Sequence, residues 1–230
     1  MDEIVLNTVD EVFTIVDSHI KISHAKYRGQ SNKDWKLIPS LGREQFSKIK
    51  GDELFRNWKR RAINLLGKNI QSEFELMMIA QHNGLPTKLL DWSHNPLVAL
   101  FFAVIDNDNV DGAFFVYINS NFKHEITNIN NLIDEITLVQ PSAPINRISN
   151  QYGYFTIHKQ PTIDLNTDNC GGSIKKFIIP KDIKKDMAFK LNHYGVNYMS
   201  IYPDLEGLGK HLSWFGENYD YWSSNTAIEI

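Results

Sequence analysis

Gln81-His82-Asn83-Gly84-Leu85-Pro86-Thr87-Lys88-Leu89-Leu90-Asp91-Trp92-Ser93 sets His, Asn, Thr, Asp and Ser against Leu and Trp in one short bend between two helical patterns. Before it, residues 72–83 read as a helix, with Ser72 as N-cap, Glu73 and Glu75 in the first turn, and Phe74, Met77, Met78 and Ala80 as its apolar body. Gly84 is placed to end that helix in the left-handed conformation, and Pro86 forbids its continuation. After the bend, Pro96 opens an apolar helix that runs to Val104, with Ser93 or Asn95 as N-cap. This is expected to be the most buried helix of the chain. The whole stretch reads as helix–loop–helix. The N-terminus of the second helix faces the loop, where its free N–H groups can hold an anion.

Upstream, residues 8–20 carry helical spacing at Val9, Val12, Phe13 and Val16, residues 26–30 read as a short strand, and residues 52–67 as an amphipathic helix. Downstream, strands are expected at 113–118, 136–139, 154–158, 174–179 and 198–202, with helices at 181–194 and 205–214. Helices come first, then strands with one helix among them, which is not the alternation of a doubly wound fold. The expectation is an α+β protein, with N-terminal helices packed on a mixed, largely antiparallel sheet. No stretch has the composition of a linker, so residues 1–230 are expected to form a single domain.

The chain has 230 residues, 42% apolar and 22% charged, which fits a packed core rather than disorder. A net charge of −3 lacks the basic footprint of a protein that grips duplex phosphates. The Lys/Arg cluster at 48–68 reads as a solvated helix face. Cys170 is the only cysteine, so no internal disulfide can form, as expected in a reducing compartment. The acidic start Met1-Asp2-Glu3 does not resemble a signal peptide, and the longest apolar run, 97–105, is too short to span a bilayer. These features predict a cytoplasmic protein with no membrane partner.

Tyr27-Arg28-Gly29-Gln30 is the second group of interest. A guanidinium at a strand end binds phosphate in bidentate fashion, and the following Gly lets a ligand approach the backbone. The structural alternative is an Arg paired with a carboxylate at the strand exit. For the 81–93 bend the alternative is a tight loop, with Asp91 capping backbone and Trp92 filling core. His82, Asp91 and His94 fit no standard metal-ligand spacing, and no metal site is expected.

Together these two segments resemble the FRG domain family, named for its Phe/Tyr-Arg-Gly tripeptide. The tripeptide stands here as Tyr27-Arg28-Gly29, and residues 82–93 match the string His-x-Gly-Leu-Pro-Thr-x-Leu-Leu-Asp-Trp-Ser/Thr. Pro96 with Ala99 to Ala103, Arg147 with Gln151-x-Gly153-x-Phe155-Thr156, and Tyr202-Pro203-Asp204-Leu205-Glu206-Gly207-Leu208 follow in the family's order. The matches span roughly residues 20–215, with Asn83 and Glu206 standing where the family more often has Tyr and Asp.

The family pattern is in turn similar to that of ADP-ribosyltransferases, which implies an ADP-ribosyltransferase-like core and NAD as the substrate. By that resemblance Tyr27, Arg28, Gly29 and Gln30 would anchor NAD, with Arg28 on a phosphate or ribose. Thr87 to Ser93, with Asp91, Trp92 and Ser93 among them, and the helix after them would build the nicotinamide pocket, with Trp92 or Tyr27 stacking, and His82 would also contact the NAD. Gln151, Phe155 and Thr156 would form a cleft wall, and Arg147 would also contact the NAD. Asp204 or Glu206, expected just after a strand, would act as the late catalytic acid beside Arg28. The implied role is a bacterial toxin or anti-phage effector that modifies RNA, DNA or protein, with an antitoxin or other protein as partner. A non-catalytic nucleotide sensor and a metal-dependent nuclease using His82, Asp91, His158 or His193 are the alternatives.

Overall fold

The computed structural model describes residues 1–49, 52–66, 72–124, 126, 132, 134–141 and 153–220. The first elements are β1 (Glu3–Val5), α1 (Val9–His19), β2 (Ala25–Gln30), α2 (Glu53–Ala62), α3 (Glu73–His82), β3 (Leu89–Ser93), α4 (Pro96–Val104) and β4 (Gly112–Ile118). They are followed by β5 (Ile136–Val139), β6 (Gly153–His158), β7 (Ser173–Ile179), α5 (Lys181–His193), α6 (Tyr198–Ile201) and α7 (Leu205–Glu217). Two short 3-10 turns, Ser40–Gly42 and Glu44–Phe46, lie between β2 and α2. The seven strands form one sheet in the order β1-β7-β4-β2-β3-β6-β5. Only β1 and β7 run parallel; every other neighbouring pair is antiparallel. The fold is therefore α+β on a mixed, largely antiparallel sheet.

The helix boundaries follow the capping chemistry. Thr8 accepts a hydrogen bond from Glu11 N, Ser72 from Glu75 N, and Asn95 from Leu97 N. Gly84 and Gly195, after α3 and α5, both sit at positive φ. Helix α4 buries Val98, Ala99, Leu100, Phe101, Ala103 and Val104, each large aliphatic or aromatic side chain contributing roughly 1.5–3 kcal/mol.

Two stretches differ from their sequence reading. Residues 89–93 are not loop but strand, in the middle of the sheet. Their alternation is masked because Leu89, Leu90, Trp92 and Ser93 are all buried. Residues 198–201 are helix rather than strand, because Asn197 forms a capping box with Ser200 that overrides the β-preference of Tyr and Ile.

Paired residues of neighbouring strands share a face, so the register sorts the core. On one face, α1, α4 and α5 pack over β2, β4 and β7 through Val12, Val98, Phe101, Phe114, Phe177 and Met187. On that same face, α2 and α3 pack over β3, β5 and β6 through Phe55, Phe74, Met77, Leu89, Phe155 and Ile157. The opposite face is covered by loop residues such as Leu37 and Leu165, lying over Trp92, Phe115 and Tyr117. The helical side thus carries two separate apolar clusters, and the boundary between them falls between β2 and β3.

Candidate functional site

β2 and β3 hold one residue pair in register, Tyr27↔Ser93. Beyond it the strands part, and a cavity of about 470 Å³ opens between α3 and α4. Strand alternation turns Tyr27 and Gly29 toward α4, and Lys26, Arg28 and Gln30 the other way. A Cβ on Gly29 would lie 1.8 Å from Ala99 O and 2.6 Å from Ala103 N. On its side-chain face Gly29 thus admits the backbone of α4.

Arg28 stands in the gap. Its Nη1 donates to the backbone oxygen of Asp91 at 2.7 Å and lies 3.9 Å from Asp91 Oδ2. Its Nε is buried without a hydrogen-bond partner. Burial lowers the guanidinium pKa, the Asp91 carboxylate opposes that shift, and the like charge of Arg43 adds to it. The Asp91 carboxylate is in turn held by Gln81, whose Nε2 donates to Oδ1 at 2.7 Å. Thr87 fixes that glutamine: its hydroxyl donates to Gln81 Oε1 and accepts from Leu89 N at 3.1 Å. A continuous chain therefore runs from Thr87 through Gln81 and Asp91 to Arg28.

Beneath the cavity, Trp92 Nε1 donates to Thr156 Oγ1 at 3.1 Å, and Thr156 lies 3.1 Å from His158 Nε2. His158 is fully buried, and burial pushes its pKa down to about 4, so the imidazole is neutral. Lys26 is buried too, its ammonium 4.3 Å from the centroid of Tyr154, and burial lowers its pKa to about 8.

The cavity takes in Tyr27, Arg28, Gly29, Gln30, His82, Asp91, Trp92, Ser93 and Phe155 among the residues expected at the site. Thr87 and Thr156 are buried and act on the cavity through Gln81 and Trp92. Arg147 and Gln151 lie outside the described residues. Asp204 and Glu206 do not line the cavity. Asp204 caps α7 by accepting from Gly207 N at 2.8 Å, and Glu206 accepts from Lys210 Nζ at 2.6 Å across one helical turn. The segment reaches the cavity through Tyr202 instead, and among the described residues the carboxylates that line it are Asp91 and Asp106.

Sequence reasoning also missed Gln81, Trp35 and Arg43 as cavity residues. Gln81 adjoins the diagnostic string, whereas Trp35 and Arg43 lie in a stretch with no periodic signal. The rim at Ser31, Asp106 and Asn107 is fixed by Lys184 of α5. Its buried ammonium donates to Ser31 O at 3.0 Å, Asp106 O at 2.7 Å, Asn107 O at 2.9 Å and Val110 O at 3.3 Å. Among the described residues, no group of three or more His, Cys, Asp and Glu is placed to hold a metal, and no helix is long and apolar enough to cross a membrane.

Residues 23–112, from two residues before β2 to the first residue of β4, match the FRG domain. Over that stretch the chain is similar to the FRG domain family. The matched span includes β2, α3, β3 and α4, the elements that enclose the Arg28 gap. No curated protein and no solved structure matches the chain.

Proposed function

We propose that the β2–β3 cleft binds NAD and that the protein is an ADP-ribosyltransferase-like enzyme. The observation that carries this reading is Arg28, a guanidinium set in the gap of a parted sheet with its Nε unpartnered, opening on a cavity lined by Tyr27, Trp92, Phe102, Tyr154 and Tyr202. A cation held there offers a phosphate two N–H donors, and the aromatic walls suit flat rings. Loss of nicotinamide builds positive charge on the ribose, which a nearby carboxylate stabilises. Asp91 lies in the cavity with more than half of its side chain exposed, so it supplies that carboxylate in place of Asp204 or Glu206. The biological role that follows is a toxin or anti-phage effector transferring ADP-ribose to RNA, DNA or protein in the cytoplasm, held in check by a partner such as an antitoxin.

The test is incubation with cell extract and NAD labelled in the adenylate. The expected result is release of nicotinamide with label on a macromolecule, both abolished in Arg28→Ala. A second reading, a binding module without turnover, is favoured by one observation: Asp204 and Glu206 are both spent on helix α7. It predicts that NAD raises the melting temperature while remaining intact.

A further inference from the structure

The segment between β2 and α2 contributes to the cleft although it contains no strand and only two short 3-10 turns. It is pinned at several points. Leu41 N donates to Thr87 O at 3.1 Å, and Thr87 N donates to Ser40 Oγ at 3.2 Å. Gly42 lies so close to the chain at Pro161 that a Cβ there would be 1.9 Å from Pro161 O. Arg43 follows directly, at the junction of the two 3-10 turns. Its backbone is thereby tied both to the run into β3 and to the loop after β6.

The Arg43 side chain is exposed, lines the same cavity as Arg28, and sits with its guanidinium 5.8 Å from the centroid of Trp35, which also lines the cavity. Among the described residues Arg43 makes no ion pair, while Arg28 already has Asp91. The two cations are near enough for each to feel the other. Two like charges fixed by backbone anchors around one cavity are relieved by an anion between them, and a single phosphate already seated on Arg28 leaves Arg43 without a partner.

We propose that Arg43, braced by Trp35 at the mouth of the cleft, is a second anion-binding residue, so that the ligand carries two linked phosphates rather than one. This rests on the cleft being a nucleotide site and names the feature of the nucleotide that it selects. Arg28 takes the inner phosphate at the parted strands. Arg43 takes the outer phosphate at the mouth, and the Trp35 ring keeps its guanidinium from swinging into solvent.

The experiment is calorimetric titration of the full chain with NAD, ADP, AMP and nicotinamide mononucleotide, for wild type, Arg43→Gln, Arg43→Lys and Trp35→Ala. Arg43→Gln is expected to weaken NAD and ADP by a factor of about 10 or more while changing the two monophosphates by less than about threefold. Arg43→Lys restores part of the loss, and Trp35→Ala shows a smaller loss confined to the diphosphates. Unchanged melting temperatures for these exposed positions establish that the variants are folded. Equal losses for all four ligands, or no loss for NAD and ADP, overturn the proposal alone. Wild type that binds none of the four overturns the nucleotide cleft and this proposal with it.

Discussion

Toward β4, strand β2 is paired residue for residue from Ala25↔Ile118 to Gln30↔Ala113, whereas toward β3 it keeps the single pair Tyr27↔Ser93. The two flanks differ because each is tied to a different apolar cluster. On the β4 side, α4 seats directly on β2 at Gly29, and the layer closes. On the β3 side, α3 belongs to the cluster over β3, β5 and β6, so the two layers are free to part. Where the ladder stops, the Arg28 guanidinium takes up the Asp91 carbonyl that a neighbouring strand would otherwise bond. A sheet continuous in strand order can thus behave as two half-sheets, with polar chemistry concentrated in the seam.

The contrast can be broken most severely at Gly29. Gly29→Ala drives a methyl group into the α4 backbone, which has no flexible side chain there to yield. A loss of about 4 kcal/mol is expected, read from urea denaturation; a loss below about 1 kcal/mol means that α4 does not seat on β2 as described.

Acid should separate the flanks next, through His158. Burial lowers its folded pKa from 6.5 to about 4, so between those values the unfolded chain takes up a proton that the folded chain refuses. The stability tied to the neutral imidazole is complete above about pH 6.5 and is lost as pH falls toward 4, by about 3 kcal/mol in total. Because His158 pairs with Ile136 in the β3–β6–β5 half, amide exchange on acidification should rise there before it rises in β4 and β7. The reverse order would show the halves to be coupled.

Lys184→Met leaves four carbonyl oxygens without their shared donor and should cost about 2 kcal/mol in a thermal melt. It is also expected to loosen exchange at 106–110 while sparing β3. Gln81→Leu, the mildest change, removes the brace on Asp91 and should cost about 1 kcal/mol. On the proposed reading of the cleft as an NAD site, its sharper readout is weaker NAD binding, since Asp91 and Arg28 lose their fixed geometry; unchanged NAD binding would mean that Asp91 holds its place without Gln81.

Much of the helical frame was legible because its signals are local. Ser72, Gly84, Pro86, Asn95 and Pro96 mark ends by their own hydrogen-bonding and backbone chemistry, and each sits at or just beyond a helix end. Strand β3 was not legible, because burial on both faces erases the alternation that identifies a strand. The 198–201 helix was hidden by its Tyr and Ile, with the decisive signal lying one residue upstream at Asn197. At the site, the short strings around Arg28 and Asp91 could be read as units, since each is contiguous. Arg43 could not, because the residues just before it are held by a pair of long-range anchors at Thr87 and Pro161. Asp204 and Glu206 carried the right chemistry for a late acid, but the Gly207 amide and Lys210 already engage them.

The Lys184 ammonium, ringed by four carbonyls, occupies the kind of nest in which many proteins keep an alkali ion. Here the ion is on a leash. Dialysis cannot remove it and sodium cannot replace it, so the rim beside the cleft should keep one shape from dilute buffer to concentrated brine. Whatever salt does to ligand affinity then reflects the charges facing the ligand and not a change in the frame that holds them.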